Sequence, residues 1–445
     1  MEELYTMTAV EIKHAIQHRR VGVEELVNTY LERIQKNDGI DGLNTIAELD
    51  MSVIDQARKM DSGMINRDVP LFGLPVLVKD NIDVAGLHTT AGSLSLADNI
   101  ALCDAPIMAN LRKNGALILG KTNMTEFANY TTQNMPNGYS SRGGQVKNAY
   151  DRTKDPGGSS TGSAVAMSAG FCAAAVGTDT SFSVIGCATE NGVTGLKPAH
   201  GLLSSQGIIP ISRTLDSAGA LTRDMSDALL LYSGMRESSL SPITPTNPHE
   251  LHIAVNISNR DTVSDKQLAR YEILFDALRK AGANFTEVFH PDSPHMGDIM
   301  RCEFRHDLED YLSVSPAKNK TLNKIVGYYE SNPECMMKFG VTSLRTALNE
   351  ASGKLDDPPY ISALAERERL RGQTLEYLRD FDACVMTGPT EIMHFVGLPS
   401  VALKLCMADD DTPRGIILYG ADESRLYAAA LAIEKYCLPI SRPSL

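Results

Sequence analysis

The segment from about residue 71 to residue 231 most constrains the fold, because it alternates short apolar runs with Gly, Ser and Thr. Residues 74–78 (Leu-Pro-Val-Leu-Val) and 116–119 (Ala-Leu-Ile-Leu) are apolar on both faces of an extended chain. Such runs predict strands that are buried on both sides. Residues 164–175 are mostly small and predict a closely packed, buried helix. The segment therefore predicts the interior of a layered α/β protein.

The flanking segments predict further helices and strands around this interior. Thr8 and Glu11 have the spacing of a helix capping box ahead of an apolar stripe. Residues 238–248 are rich in Ser, Thr and Pro and predict a surface connection, not a linker between domains. The other predictions are helices over about residues 24–35, 266–281 and 424–436, strands over residues 252–255, 283–288, 383–386 and 400–403, and a charged helical region over about residues 300–380. We expect a single α/β domain over residues 1–445.

Composition disfavours several classes of partner and cofactor. Lys and Arg number 42 against 55 Asp and Glu, and the net charge of −13 disfavours nucleic acid or an anionic membrane as the main partner. Eight scattered Cys and no CxxC pair predict free buried thiols in a reducing cytoplasm, and the ten dispersed His predict no metal site. The start lacks the pattern of a signal peptide, and no run of ~20 apolar residues predicts a membrane span.

Two glycine patterns match motifs of other protein classes but have the wrong surroundings. Residues 115–122 match the phosphate-loop pattern GxxxxGK[ST], yet the four middle residues, Ala-Leu-Ile-Leu, are typical of a buried strand. Residues 158–162 match GxSxG, the nucleophile elbow of α/β-hydrolases, which needs a strand immediately before it. The preceding residues 150–156 are polar and end in Pro, so they do not predict a central strand. We expect neither a nucleotide site nor a hydrolase elbow.

A third set of motifs is larger and extends over most of the chain. Residues 156–164 read Pro-Gly-Gly-Ser-Ser-Thr-Gly-Ser-Ala, and residues 177–183 read Gly-Thr-Asp-Thr-Ser-Phe-Ser. Lys79-Asp80 lies upstream, and residues 191–198 and 207–212 follow in order. This set resembles the amidase signature family, whose loop serine and nucleophile are 24 residues apart, as are Ser159 and Ser183 here. Residues 137–145 and 322–353 resemble the peptide-amidase branch of that family.

The resemblance implies a fold, a reaction and a set of site residues. The implied fold is a large mixed central β-sheet covered by helices on both faces, with a signature core at about residues 70–225. The implied reaction is hydrolysis of a small-molecule carboxamide. The sequence shows no cofactor motif, so we expect no cofactor, and we expect a monomer or a homodimer. Ser183 would be the nucleophile, Ser159 a bridging serine after a cis peptide bond, and Lys79 the base. The oxyanion and substrate would meet the backbone N–H groups of the turn before the nucleophile, at Thr180, Ser181 and Phe182.

The sequence departs from the family at the nucleophile turn and near its end. Ser181 and Phe182 stand where the family has Gly-Gly, and Gly before the nucleophile permits positive φ and close approach of substrate. We therefore expect Phe182 either to bend the turn differently or to fill the acyl pocket with its ring. The connection from Gly388 to Pro399 is shorter than in the family, which is expected to open one wall of the cleft. Asp179 and Asp216 are expected to order the turn by accepting hydrogen bonds.

Three functions remain open on the sequence. The first is a stand-alone amidase that acts on an acyl or peptide amide, with a pocket that Phe182 reshapes or specialises. The second is the A-type subunit of a glutamine-dependent amidotransferase, which shares the three residues. The third is a catalytically impaired amide-binding homologue, because Phe182 replaces the usual Gly.

Overall fold

A computed structural model describes residues 4–63, 67–290, 293 and 295–445 of the chain. Residues 1–3, part of the start for which no signal peptide is expected, lie outside the described residues. The strands in chain order are β1 Ile46–Leu49, β2 Pro75–Lys79, β3 Leu117–Thr122, β4 Tyr139–Ser140, β5 Gly144–Gln145, β6 Ala174–Asp179, β7 Thr194–Lys197, β8 Ser217–Thr222, β9 His252–Asn256, β10 Asn284–Val288, β11 Ala383–Met386, β12 Ser400–Met407 and β13 Pro413–Tyr419. The predicted strands at 74–78 and 116–119 therefore form, as β2 and β3.

Eleven of the described strands make one mixed sheet in the order β1-β3-β2-β6-β8-β7-β12-β13-β11-β9-β10. Strand β2 lies parallel to β3 and β6, whereas β8 is antiparallel to β6 and β7. Every residue of β2, β3, β6 and β8 is buried, and successive side chains of a strand point to opposite faces. Both faces of the sheet are therefore covered, and the predicted α/β class with a large mixed sheet is confirmed. The assignment of one domain stays a prediction.

Helices pack against the sheet and against one another. They are α1 Ala9–Gln17, α2 Val23–Asn37, α3 Val53–Asp61, α4 Pro106–Lys113, α5 Thr161–Ala169, α6 Ile185–Asn191, α7 Met225–Met235, α8 Asp265–Lys280, α9 Met296–Val314, α10 Leu322–Ser331, α11 Pro333–Met336, α12 Thr342–Glu350, α13 Pro358–Leu378, α14 Ile392–Phe395 and α15 Glu423–Ile433. The predicted capping box forms, since Thr8 Oγ1 accepts from the Glu11 N–H while the Glu11 carboxylate accepts from the Thr8 N–H. The helical region predicted at 300–380 is α9 to α13.

The helix predicted over residues 164–175 is wrong in its second half. Helix α5 ends at Ala169, and Gly170 adopts a left-handed conformation with φ 73° as its cap. The chain then enters β6 at Ala174, between β2 and β8. Small residues are compatible with a crowded helix and with a central strand, so composition alone did not separate the two. The glycine at 170, a common helix terminator, was the available signal.

The first glycine pattern lies where a buried strand was predicted. Residues 117–122 are β3, and Lys121 within it is fully buried. Its amine donates to the carbonyl oxygens of Ile82 and His88 at 2.6 and 2.8 Å. The amine of Lys121 is therefore bound to carbonyl oxygens inside the fold and does not line a phosphate loop.

A second hydrophobic core cluster is separate from the large core cluster that contains the buried residues of the central sheet. Helices α9, α10 and α12 contribute apolar residues that pack against the segments around Ala91, Phe127 and Ile209. Within the described part of the chain, no helix is both long and apolar enough to cross a membrane.

Candidate active site

Lys79, Ser159 and Ser183 converge at the carboxyl end of the parallel strands. Lys79 is the last residue of β2, Ser159 lies in the loop before α5, and Ser183 lies in the turn between β6 and α6. The Lys79 Nζ is 2.9 Å from the Ser159 Oγ, and the Ser159 Oγ is 3.0 Å from the Ser183 Oγ. The structure thus brings together, in one hydrogen-bonded chain, three side chains that the sequence separates by up to 104 positions.

The amine of Lys79 is fully buried and has three oxygen partners. Besides Ser159, it contacts the carbonyl oxygen and the hydroxyl of Thr178 at 3.1 and 2.8 Å. Burial lowers its pKa to about 8, although the negative charges of Asp179 and Asp216 partly oppose that effect. The lowered pKa makes the neutral amine, which can accept a proton, far more accessible near physiological pH than it is for an exposed lysine.

The loop that carries Ser159 is fixed by backbone contacts from several elements. The peptide bond between Gly158 and Ser159 is cis, as the resemblance implied. The Thr125 N–H donates to the Ser159 carbonyl oxygen at 3.2 Å. Gly162 packs so closely on Asn123 that a Cβ would overlap its backbone, which explains the glycine there. The Ser159 hydroxyl therefore has a defined position between the amine and Ser183.

Ser160, the serine of the GxSxG pattern, has a structural contact. The residues before it form no strand, in agreement with the sequence. Its Oγ is buried and donates to the carbonyl oxygen of Thr178 at 3.0 Å. The strand that a nucleophile elbow needs is therefore not present before Ser160.

Two aspartates, the buried Asp179 and the partly buried Asp216, order the nucleophile turn, as predicted. The Asp179 Oδ2 accepts the N–H groups of Val184 and Ile185 at 2.7 and 3.1 Å. Burial alone would raise the pKa of Asp179, but His394 and Lys197 nearby hold that pKa at about 2. Asp216 accepts from the Thr180 hydroxyl at 2.5 Å, and burial raises the pKa of Asp216 to about 7. The turn is thus anchored on both sides of Ser183.

Phe182 keeps the backbone conformation that a glycine would adopt. Its φ is 62°, so of the two alternatives expected for Phe182 the structure does not show the differently bent turn. A left-handed non-glycine residue costs about 1–2 kcal/mol, which the surroundings must offset. The ring lies edge-on against His394, with 4.5 Å between ring centroids, and packs against the large core cluster. The Phe182 N–H points at the His394 Nε2, 3.3 Å away.

The residues around the predicted oxyanion site differ in which of their hydrogen-bond donors already have a partner. The side chains of Thr180 and Ser181 are engaged by Asp216 and by Glu391, the latter at 2.9 Å. The Phe182 N–H is taken by His394. Among the described residues, none accepts a hydrogen bond from the backbone N–H of Ser181 or Ser183. These two donors, beside the Ser183 hydroxyl, are free to bind an oxygen.

Sequence reasoning missed the short helix α14, which brings Glu391 and His394 to the turn. His394 is fully buried, and it reaches Phe182 across 212 positions of the sequence. The shortened connection was expected to open a wall of the cleft. A cavity of about 350 Å³ does border Gly388 and Pro389. Helix α14 and its N-cap residue Glu391 nevertheless contact the turn, through His394 to Phe182 and Glu391 to Ser181. The only feature of the sequence that could have indicated this contact was a histidine in the short connection between two strands.

No group of three or more His, Cys, Asp or Glu side chains within the described ranges is arranged to hold a metal ion. The polar atoms that converge on Ser183 are instead hydroxyls, an amine and backbone N–H groups. That arrangement suits proton transfer and stabilisation of an oxyanion.

Comparison with known proteins identifies the family. The family model described as Amidase matches residues 25–396, so the chain belongs to the amidase signature family. The Arabidopsis thaliana protein named "Probable amidase" is 30% identical, over 97% of this chain and 90% of that protein. The A-type subunit of the glutamyl-tRNA(Gln) amidotransferase of Nitratidesulfovibrio vulgaris is 39% identical, over 100% of this chain and 99% of that protein. The peptide amidase of Stenotrophomonas maltophilia has a TM-score of 0.88 at 27% identity, over 99% of this chain and 98% of that one.

Proposed function

We propose that this chain hydrolyses a carboxamide to an acid and ammonia or an amine, through an acyl-enzyme on Ser183. The observation that carries the proposal is the unbroken hydrogen-bonded chain from the Lys79 Nζ through the Ser159 Oγ to the Ser183 Oγ. An amide is a poor electrophile with a poor leaving group, so it needs an activated nucleophile and a returning proton. The chain of hydroxyls supplies both.

Proton transfer follows from the donors and acceptors around Lys79. The Lys79 Nζ donates to the Ser159 Oγ as an ammonium; in its neutral form the amine can donate its two protons to the oxygens of Thr178, which leaves its lone pair to accept from Ser159. Ser159 then passes its proton to Lys79 and takes the proton of Ser183, whose oxygen attacks the substrate carbonyl carbon. The resulting ammonium returns the proton by the same route to the leaving nitrogen. Water then attacks the acyl-enzyme and releases the acid.

The negative charge that develops on the carbonyl oxygen needs nearby donors. The free backbone N–H groups of Ser181 and Ser183 are suited to this task because they are fixed before the reaction starts. Ser183 itself is 6% exposed, whereas Ser181 and Phe182 are half-buried. The substrate would therefore approach Ser183 over these two residues. Phe182 would then form part of the acyl pocket, with its turn conformation intact.

The experiment is labelling with a fluorophosphonate, followed by intact-mass and peptide mapping. We expect one adduct on the wild-type protein and none on Ser183→Ala. Ser160→Ala is the matched control, since it removes a neighbouring buried hydroxyl and is expected to remain labelled at Ser183. An unlabelled wild type would favour the amide-binding homologue. Labelling that survives in Ser183→Ala would overturn the assignment of the nucleophile.

A second candidate is the glutaminase role of an amidotransferase A-type subunit. It is favoured by the full-length similarity to a protein named as that subunit of a glutamyl-tRNA(Gln) amidotransferase, at 39% identity. The test is ammonia release from glutamine compared with release from small acyl amides and from a peptide with an amidated C-terminus. Preference for glutamine, together with a stable partner protein, would support the amidotransferase role. Preference for the other amides would support the stand-alone amidase.

A further inference from the structure

His394 meets the nucleophile turn at three points. Its Nε2 accepts from the Phe182 N–H at 3.3 Å, and its ring lies edge-on against the Phe182 ring. Its Nδ1 is 3.2 Å from the Asp179 Oδ1, although neither atom has a hydrogen bond of good geometry with any described residue. A backbone N–H can only donate, so the Nε2 must be the unprotonated nitrogen of the ring. The ring proton then lies on the Nδ1, which faces the Asp179 carboxylate.

Asp179 and His394 together hold the backbone on both sides of Ser183. The Asp179 Oδ2 accepts from Val184 and Ile185, which follow the serine. His394 accepts from Phe182, which precedes it. Both side chains are fully buried, so water cannot readily replace either contact. The position of the Ser183 hydroxyl is therefore set by two buried acceptors that are themselves in contact.

The contact with Phe182 matters because its conformation is strained. With φ at 62°, a phenylalanine occupies a region that glycine adopts at little cost. The Phe182 carbonyl oxygen is held by the Gly186 N–H at 2.8 Å, and the His394 Nε2 holds the N–H on the other side. Without the imidazole acceptor, the N–H side of this residue loses its restraint. Relaxation toward negative φ would rotate the peptide that leads into Ser183.

We infer that His394 is a positioning residue that holds Phe182 in its left-handed conformation and thereby aligns Ser183 with Ser159 and with the free N–H groups of the turn. This inference rests on the proposed function, since it assumes that Ser183 is the nucleophile. It assigns to a histidine from the distant helix α14 the conformational role that a glycine in the turn fulfils by itself. The pairing explains how this chain tolerates Phe at position 182.

The test compares His394→Gln with His394→Met. The carboxamide oxygen of Gln can accept from the Phe182 N–H near the position of the Nε2, whereas Met fills a similar volume and offers only a weak thioether acceptor. We expect His394→Met to lower kcat and the rate of fluorophosphonate labelling by about 10²-fold, with a much smaller change in KM, because misplacement of a reacting group by about 1 Å costs that much. His394→Gln should recover most of the loss. Thermal unfolding of each variant reports whether it is folded.

A double-mutant cycle with Phe182→Gly separates positioning from simple packing. Glycine adopts φ near 62° without the strain, so it does not need the restraint. We therefore expect His394→Met to cost much less in the Phe182→Gly background than in the wild type. Equal costs in both backgrounds, or a His394→Gln variant as slow as His394→Met, would overturn the inference. If the wild type is not labelled at Ser183, the proposed function fails instead, so the two failures are distinguishable.

Discussion

Two buried lysines at the ends of strands, Lys79 on β2 and Lys197 on β7, have similar pKa values and different surroundings. Burial lowers the pKa of each to about 8. The Lys79 amine contacts two hydroxyls and a carbonyl oxygen. The Lys197 amine contacts only the carbonyl oxygens of Pro198 and Leu398, at 3.3 and 2.6 Å, among the described residues. Carbonyls accept hydrogen bonds but have no proton to transfer.

The comparison teaches that a lowered pKa reports burial, whereas the partners of the amine decide its chemistry. Lys197 ties β7 to the segment before β12 through the Leu398 carbonyl oxygen. Lys79 ends a chain of hydroxyls that leads to Ser183. A perturbed lysine is a candidate base only when a proton donor faces it. On this account Lys79 belongs to the reaction and Lys197 to the fold.

The largest expected effect is on activity when each lysine is replaced by Met. Lys79→Met should lower the rate of labelling of Ser183 by about 10²- to 10⁴-fold, because the proposed general base is lost. Lys197→Met should leave the rate of the folded protein within a small factor of the wild type. The measurement is the labelling rate per folded molecule, with the folded fraction taken from circular dichroism. Similar losses in the two variants would break the comparison.

The next effect concerns the Ser159 hydroxyl, which contacts Lys79 and has no counterpart at Lys197 among the described residues. Ser159→Ala removes the bridge between Lys79 and Ser183 and should lower the labelling rate by about 10²-fold. Ser160→Ala removes an adjacent buried hydroxyl that bonds to the Thr178 carbonyl oxygen, so it should change the rate far less. The same labelling assay measures both variants. A larger loss in Ser160→Ala than in Ser159→Ala would contradict the proposed relay.

The third effect is on stability, and here Lys197→Met is expected to have the larger effect of the two lysine variants. Lys197→Met leaves the buried carbonyl oxygens of Pro198 and Leu398 without their donor, which should lower the free energy of unfolding by about 1–3 kcal/mol. Lys79→Met removes a buried, desolvated amine that serves the reaction, so we expect a smaller loss or a gain. Urea unfolding followed by circular dichroism measures both. A clearly larger loss for Lys79→Met would indicate that Lys79 is the structural lysine.

Local patterns were sufficient for much of the fold and for the identity of the three converging residues. Apolar runs predicted β2 and β3, and the capping pair at Thr8 and Glu11 predicted the start of α1. The spacing of 24 between Ser159 and Ser183, through resemblance to the family, predicted their contact. These successes depend on information within a short window or on a family motif.

The misses arise from contacts between distant segments. The contact of Phe182 with His394 spans 212 positions, and that of Ser181 with Glu391 spans 210. No local pattern predicts such a contact. The family has glycines where this chain has Ser181 and Phe182, so the resemblance could not predict the contacts of these two side chains either. The helix predicted at 164–175 failed because its small residues fit a crowded helix and a central strand equally well. Packing against β2 and β8 decides that β6 begins at Ala174.

The pH dependence of Ser183 labelling tests the central claim most directly. Since the base must be neutral and its pKa lies at about 8, the rate in the wild type should rise about tenfold per pH unit below that value and level off above it. Lys197→Met should keep this profile, and Lys79→Met should lose it. A rise with pH that persists in Lys79→Met would instead indicate another group, such as Asp216, whose pKa burial raises to about 7. A rate that does not vary with pH, or a rise that persists in Lys79→Met, would contradict the claim that Lys79 accepts the proton of Ser183 through Ser159.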